Sequence, residues 1–310
     1  MTYLLVFQIF IGFLFLKFYA YFPKLNNREN KVIYSGGYFF AISLIGYAIF
    51  SPHPILEEIN FIIFPLCAFI IGAIDDKIDI NPWLRLLIFS ILILLLITIE
   101  NKFQINFINF NNTIYKINFP VDIFFTCLCF LLLINAMNFA DGINCLAGII
   151  FLFFFTFLGF RLGIKFELIT IISISIIFFL ILNWKNISHM GDSGVYLLAF
   201  LFAQLLIVSF KENYQNFLSE EIFLILYLPG FDLFRIFIDR LFKKKNPFKA
   251  DKTHLHHLLN KKIGLQKTLV MYMACLVAPL VLYSFFLINN FICLFMCIII
   301  YSLLFSYAKN

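Results

Sequence analysis

Long apolar runs alternate with short polar breaks along the whole chain. A membrane-crossing helix needs about 20 apolar residues, with about 17 as a lower end. On that measure the pattern predicts eleven spans, some of them short: Thr2–Phe22, Gly36–Ser51, Ile59–Ile74, Trp83–Ile99, Phe119–Ile134, Cys145–Leu162, Glu167–Trp184, Gly194–Phe210, Glu221–Ile238, Thr268–Ile288 and Phe291–Tyr307. The expected fold is an all-α polytopic membrane protein, a bundle of transmembrane helices forming one domain over residues 1–310. The first run lacks the basic front and small-residue cleavage site of a removable signal peptide, so it reads as a retained span. No internal repeat is evident.

One break stands out. Between two apolar runs, the stretch from Asn135 to Gly148 carries Asn135, Asn138, Asp141 and Asn144 at successive three-residue steps. Polar groups at the edge of hydrocarbon are costly unless something holds them. The stretch therefore reads as the lining of a water-facing site for a charged ligand, on which the other polar breaks should converge.

Composition narrows the class. The chain is 63% hydrophobic and 13% charged, with a mean hydropathy of +0.96, whereas a soluble domain carries about 25% charged residues. The seven cysteines lie almost entirely in apolar runs and read as small hydrophobes rather than disulfide partners or zinc ligands. The 45 phenylalanines look like the imprint of an AT-rich coding bias, and no single one is given a functional meaning.

Charge then orients the spans. Of the 23 lysines and arginines, 17 fall on one set of loops, which the positive-inside bias makes cytoplasmic. The N-terminus is then outside and the C-terminus inside. Eight of the nine aspartates share that side, Asp122 being the exception, while seven of the eight glutamates fall on the other. Aspartate is the shorter, stiffer carboxylate, suited to holding a metal or a phosphate partner in fixed geometry. The chemistry is expected at the cytoplasmic face.

Four further constellations lie there. The first cytoplasmic loop, with Asn26, Asn27, Arg28, Lys31 and Gly36-Gly37, reads on its own as an ordinary basic loop. The third span ends on Asp75-Asp76-Lys77-Ile78-Asp79. Adjacent carboxylates stay ionised together only with a cation nearby, and magnesium takes one or two carboxylates plus substrate phosphates. A solvated helix end, with Asp79 capping the next helix, is the plainer alternative. His189-Met190-Gly191-Asp192-Ser193-Gly194 opens a span with two glycines around an acid, which suits a helix N-terminus facing an anion and equally suits a simple N-cap. Ser193 has no visible His–Asp pair to activate it as a nucleophile. The largest cytoplasmic segment, 229–265, holds Asp232, Arg235, Asp239, Arg240, Asp251 and the cluster His254, His256 and His257. Its basic residues suit phosphate groups, with contact to anionic headgroups or zinc as alternatives.

Taken in order, these pieces resemble the polyprenyl-phosphate N-acetylhexosamine-1-phosphate transferases, membrane enzymes that move a sugar 1-phosphate from a UDP-sugar to a lipid carrier. Asp75-Asp76 resembles that family's paired aspartates. Asn135-Ala-Met-Asn138-Phe-Ala-Asp141-Gly142 resembles its Asn-x-x-Asn-Phe-x-Asp-Gly signature, and Gly191-Asp192-Ser193-Gly194 its Gly-Asp-x-Gly loop. Pro229-x-Phe-Asp232-x-x-Arg235-x-x-x-x-Arg240 and Pro247-Phe248-x-x-Asp251-x-x-His254-Leu255-His256-His257 are similar to the last two motifs. Three departures stand out. Asn144 occupies the place of the signature's second aspartate, with Cys145 for the glycine after it. The first-loop histidine is replaced near Lys31, and Lys252 stands for an arginine.

The resemblance implies transfer of N-acetylhexosamine 1-phosphate to undecaprenyl phosphate with release of UMP, initiating a cell-surface polysaccharide in a bacterial inner membrane. It implies Asp75, Asp76, Asp141, His254 and His256 as catalytic groups. Asn138, Gly142, Asn144, Asp232, Arg235, Arg240, Asp251 and His257 would bind substrate, and Asp192 with Asp75 would hold magnesium, or manganese in its place. UDP-N-acetylhexosamine, the lipid phosphate and the bilayer are the implied partners, with a second copy of the chain as a candidate and no nucleic acid. The change at Asn144 implies altered nucleotide binding. The rival from another class is an ion-coupled transporter, whose acids should lie near mid-span rather than at span ends.

Overall fold

Without water to bond them, backbone amides in hydrocarbon must be satisfied within the segment, so the apolar runs fold as helices. A computed structural model describes residues 2–21, 34–51, 59–162, 166–244, 253–286 and 290–309. Among these are twelve helices: α1 (Thr2–Tyr21), α2 (Gly36–Phe50), α3 (Asn60–Ile78), α4 (Pro82–Ile99), α5 (Val121–Ala140), α6 (Leu146–Leu162), α7 (Phe166–Trp184), α8 (Gly191–Glu212), α9 (Ser219–Phe242), α10 (Leu255–Ile263), α11 (Leu265–Phe286) and α12 (Asn290–Lys309). Six of the described helices are long and apolar enough to cross a membrane, and three more are apolar but shorter. Among the described residues this membrane protein is all-helical apart from one small hairpin.

The described chain falls into two compact units. The first comprises Met1–Phe103 and Asn144–Ser209, the second Gln104–Ile143 and Phe210–Asn310. In the first, α7 is the hub against which α1, α2 and α6 pack. α8 is apolar nearly all round and its span is wholly buried, as such a helix must be. One polar clamp ties three of these helices. The buried Gln8 donates to Ser43 Oγ at 3.1 Å and Ser175 Oγ at 2.7 Å, the kind of bond that holds helices together where burial gives no driving force.

In the second unit α9 packs against α5, α11 and α12, and α10 packs against α11 and α12. The segment between the predicted spans Trp83–Ile99 and Phe119–Ile134 forms a hairpin of β1 (Phe107–Phe110) and β2 (Thr113–Lys116), antiparallel, with Phe107 opposite Lys116. Its two-residue turn, Asn111-Asn112, has φ of 49° and 59°, the tight turn that asparagine and glycine favour. The hairpin is pinned to the start of α9, where Asn109 N–H donates to Ser219 Oγ at 3.1 Å and Asn111 N–H to Glu220 Oε1 at 2.6 Å.

Element ends differ from the apolar runs where polar groups find local partners. α3 continues past Ile74 and carries Asp75, Asp76 and Lys77 in its last turns, ending where Asp79 turns left-handed at φ 51° and bonds back to Asp75 O. Asn81, not Asp79, caps α4, accepting from Trp83 N–H at 2.9 Å with Pro82 at the first helical position. α5 runs on to Ala140, because Asn135 Nδ2 turns its polar group back onto Leu131 O at 2.7 Å. The histidine cluster, read as loop, opens the short helix α10. That helix buries Leu255 and Leu259, exposes Lys261 and Lys262, and ends at Gly264, whose φ of 79° lets α11 follow at once.

Candidate active site

The polar breaks assemble into two clusters, one in each unit. In the first, the paired aspartates at the end of α3 divide their work. Asp76 is half-buried and caps α8 from another element: its Oδ1 accepts from Asp192 N–H at 2.8 Å and its Oδ2 from Ser193 N–H at 3.2 Å. Helix N-termini leave such amides unsatisfied, and a carboxylate suits their positive end. Two glycines permit this approach. A Cβ at Gly72 would come within 2.5 Å of Ser193 Cα, and Gly191, at φ +71°, would put one 2.8 Å from Asp76 Oδ2.

Asp75 is buried and fully engaged. Its Oδ1 accepts from Ile80 N–H at 2.7 Å, and its Oδ2 from Arg85 Nη1 at 3.1 Å and from Tyr196 OH at 2.9 Å. Tyr196 lies one turn after Asp192 on α8. The half-buried Asp192 brings its carboxyl within interaction distance of Asp75, with Asp76 and Arg85 in Coulombic reach. Ser193 Oγ is buried against Gly37.

The segment leading into α8 is held by the first residues of unit one's second stretch. Asn144 Nδ2 donates to Asn186 Oδ1 at 3.1 Å, Cys145 N–H to Asn183 Oδ1 at 2.5 Å, and Asn183 Nδ2 to Ser188 O at 2.7 Å. Cys145 has φ 67°, the left-handed conformation that explains a glycine at the corresponding signature position. From the other side, Gly36 and Gly37 N–H donate to His189 O and Met190 O at 3.1 and 3.3 Å. Burial pushes the half-buried His189 imidazole below its ordinary value, so it is uncharged at neutral pH.

The second cluster gathers residues of α9, α10 and the end of α5. Asp232, buried on α9, accepts from His254 Nδ1 at 2.9 Å, Arg235 Nη2 at 2.8 Å, Tyr301 OH at 3.0 Å and Leu255 N–H at 3.1 Å. Phe139, in the last turn of α5, lies on the His254 ring at 4.9 Å. The rings of His254 and His256 stack at 5.5 Å and those of His256 and His257 lie 4.3 Å apart. Gly142 sits against the Nε2 atoms of His256 and His257, where any side chain would clash. Burial first, then repulsion from His257, lowers the His256 imidazole to about 3, so it is neutral and can accept or donate through Nε2. A small cavity, of about one water molecule's capacity, is lined by Ala136, Pro229, Asp232, His254, His256 and Tyr272.

Residues 59–210 match the family model described as Glycosyl transferase family 4. Over that stretch, just under half of the chain, the sequence is similar to that family. Among similar curated proteins is an undecaprenyl-phosphate alpha-N-acetylglucosaminyl 1-phosphate transferase of Thermotoga maritima, 29% identical over 73% of this chain and 70% of that protein. Proteins of the same name from Haemophilus influenzae and Salmonella typhi are 29% and 26% identical, over 64% and 61% of this chain. The alignments cover 59% and 54% of those two relatives.

In this chain Asp75, Asp76, Asn144 and Asp192 lie in the first unit, and Asn138, Asp141, Gly142, Asp232, Arg235, Arg240, His254, His256 and His257 in the second. Asn138 and Asp141 are half-buried at the end of α5, Asp141 as its C-cap, and Arg240 is buried in the last turn of α9. Asp251 lies outside the described residues. Sequence reasoning missed Arg85, Tyr196, Asn183 and Tyr301 as partners. The one signal for Tyr196 was its four-residue step from Asp192; nothing local marked Tyr301. Among the described residues no group of three or more His, Cys, Asp or Glu side chains is set to hold a metal by themselves. Asp192 beside Asp75 is instead a two-carboxylate set. That fits magnesium, which completes its shell with substrate phosphates and water.

Proposed function

We propose that this chain is a family 4 transferase that moves an N-acetylhexosamine 1-phosphate from a UDP-sugar to undecaprenyl phosphate and releases UMP. The names of the relatives supply the substrates. The carrying observation is Asp192, set at the buried start of α8 by Asp76 and facing Asp75. The working topology is eleven spans with the N-terminus outside, one transferase domain and a cytoplasmic active face in a bacterial inner membrane, as the lysine and arginine distribution supports.

In the reaction an oxygen of the lipid phosphate forms a bond to the β-phosphorus. The bond from that phosphorus to the bridging oxygen breaks, and UMP leaves with the electron pair. A phosphate monoester is largely ionised at neutral pH, so the attacking oxygen needs little help from a base. Catalysis is chiefly positioning and charge neutralisation. Asp192 with Asp75 would hold magnesium, or manganese, which when bound neutralises the diphosphate. Asp75 would join through Oδ1, which among the described residues accepts from Ile80 alone, because its Oδ2 already accepts from both Arg85 and Tyr196. Asp76 keeps Asp192 in place. His254, His256, His257 and Arg240 contact phosphate oxygens, and Asn138, Asp141 and Gly142 bound the sugar nucleotide. Asn144, tied to Asn186 by its amide hydrogen, offers the nucleotide its carbonyl oxygen and no charge.

The test is UMP release from UDP-N-acetylglucosamine and other UDP-sugars by purified protein with undecaprenyl phosphate. Asp192→Asn should abolish metal-dependent transfer while the protein stays folded in detergent. Full activity in that variant would remove Asp192 from the site, and absence of release by the wild type on every UDP-sugar would end the transferase reading.

A further inference from the structure

The reaction scheme leaves one hydrogen-bonded chain in the second unit without a task. Tyr301 comes from the C-terminal helix α12, beyond the segment that matches the family model. Its hydroxyl accepts from Arg235 Nε at 2.8 Å and lies 3.0 Å from Asp232 Oδ1. Arginine is donor-only, so the Arg235–Tyr301 bond can run in one direction alone, and the tyrosine proton must point to Asp232. Arg235 is held on its other edges as well. Its Nη2 donates to Asp232 Oδ1 and to Thr253 O, each at 2.8 Å, and its Cζ lies 4.3 Å from the Phe305 ring centre, also on α12.

Arg235 and Tyr301 both donate to one carboxylate, and that carboxylate faces one imidazole. Asp232, 5% exposed, takes the His254 Nδ1 proton at 2.9 Å and the N–H of Leu255 at the start of α10. A carboxylate on Nδ1 fixes the tautomer: neutral His254 carries its proton on Nδ1 and presents a bare Nε2. That Nε2 is buried and has no partner among the described residues, and His256 Nε2 is in the same state. Two buried imidazole nitrogens left open beside a water-sized cavity are a costly arrangement for a fold alone. They suit a site in which ring orientation matters.

We propose that Tyr301 is a positioning residue for His254, acting through Asp232 and Arg235. This rests on the transferase reading for its effect on turnover, though not for its effect on the imidazole. Removing the hydroxyl takes one donor from Asp232 and leaves Arg235 Nε without its acceptor, so the carboxylate turns and His254 loses its fixed tautomer. Arg235 then serves the histidine rather than a phosphate.

The experiment compares wild type, Tyr301→Phe and Asp232→Asn, each with 15N-labelled histidine, in detergent at one neutral pH. The His254 ring signals are assigned by their loss in His254→Asn. In the wild type the Nδ1 signal should be that of a protonated, hydrogen-bonded nitrogen and the Nε2 signal that of a bare one. Tyr301→Phe and Asp232→Asn should both shift them toward a tautomer mixture. With UDP-sugar and undecaprenyl phosphate, Tyr301→Phe should lower kcat about tenfold, one lost charge-coupled bond, with KM unchanged within about twofold. In a His254→Asn background the same change should cost less than about twofold, because its route is gone. Unaltered histidine signals, an unaltered kcat, or an equal loss in both backgrounds would overturn the proposal. Should Tyr301→Phe not fold, Arg235→Lys removes the same bond from the other end and carries the same expectations; failure of both to fold makes the role structural and likewise overturns it. A wild type that releases no UMP refutes the transferase reading alone, since the histidine signals still decide this one.

Discussion

Replacing Asp76 by asparagine changes almost no volume and removes the charge that closes the start of α8. In the wild type two oxygens accept two backbone N–H groups, those of Asp192 and Ser193, at 2.8 and 3.2 Å. Bonds to a charged acceptor are worth about 1.5–3 kcal/mol each, and a negative group at a helix N-terminus adds about 0.3–1 kcal/mol. Asparagine keeps one oxygen, weaker as an acceptor, and turns an NH2 toward the second N–H. The loss is therefore one bond outright and part of another, about 2–4 kcal/mol in a dry site. Asp76 is only half-buried, and solvent screening brings the figure to the lower end, about 2 kcal/mol. Expressed wholly as disorder of Asp192, that is about a 30-fold loss in the response to the metal. The assay is UMP release as a function of magnesium concentration, with thermal unfolding in detergent alongside. Asp76→Asn should raise the magnesium needed for half-maximal rate by up to about 30-fold, and Asp76→Glu, which keeps the charge but overreaches, should fall between. A variant with wild-type rate and wild-type magnesium response would refute the claim that Asp76 sets Asp192.

Three further predictions follow from the same geometry. His256 has its folded value depressed to about 3 from 6.5, so the unfolded chain takes up the proton first as pH falls; stability contributed by its neutral burial is present above about pH 6.5 and lost progressively toward pH 3. His256→Gln should flatten that part of the unfolding-temperature profile, and an unchanged difference between pH 7 and pH 4 would count against the buried neutral imidazole. Asn144→Asp restores the signature's charge but removes the amide hydrogen that bonds Asn186, so it should change nucleotide affinity severalfold in a UMP-inhibition assay; unchanged affinity would take Asn144 out of the nucleotide's reach. Asn112→Val places a β-branched residue at φ 59° in the exposed hairpin turn, at a cost of about 1–3 kcal/mol. Limited proteolysis should then cut the hairpin faster than in wild type, and equal rates would exclude the tight turn as its clamp.

The residues that chemistry needs were legible in the chain because their cost is local. An Asp-Asp pair at the end of an apolar run, or four polar side chains at three-residue steps, is expensive wherever the run ends, so position alone made these groups conspicuous. The helices were legible for the same reason, since each span satisfies its backbone internally. Ends were less so: α3 and α5 ran past their apolar stretches because Asp79 and Asn135 found bonds that no hydropathy pattern contains.

Sequence by itself thus determined that this is a helical membrane protein with aspartates and histidines at the ends of apolar runs, and which motifs carry them. Only the tertiary structure decided what each of those groups does. Asp75 and Asp76 are neighbours of identical type, yet one is buried against Arg85 and Tyr196 and the other caps α8, 116 residues away along the chain. Tyr301 reaches Asp232 across 69 residues and was silent in the sequence. A residue's cost of burial is set by its own chemistry and its neighbours in the chain, whereas its partner is set by whichever helix packing brings alongside.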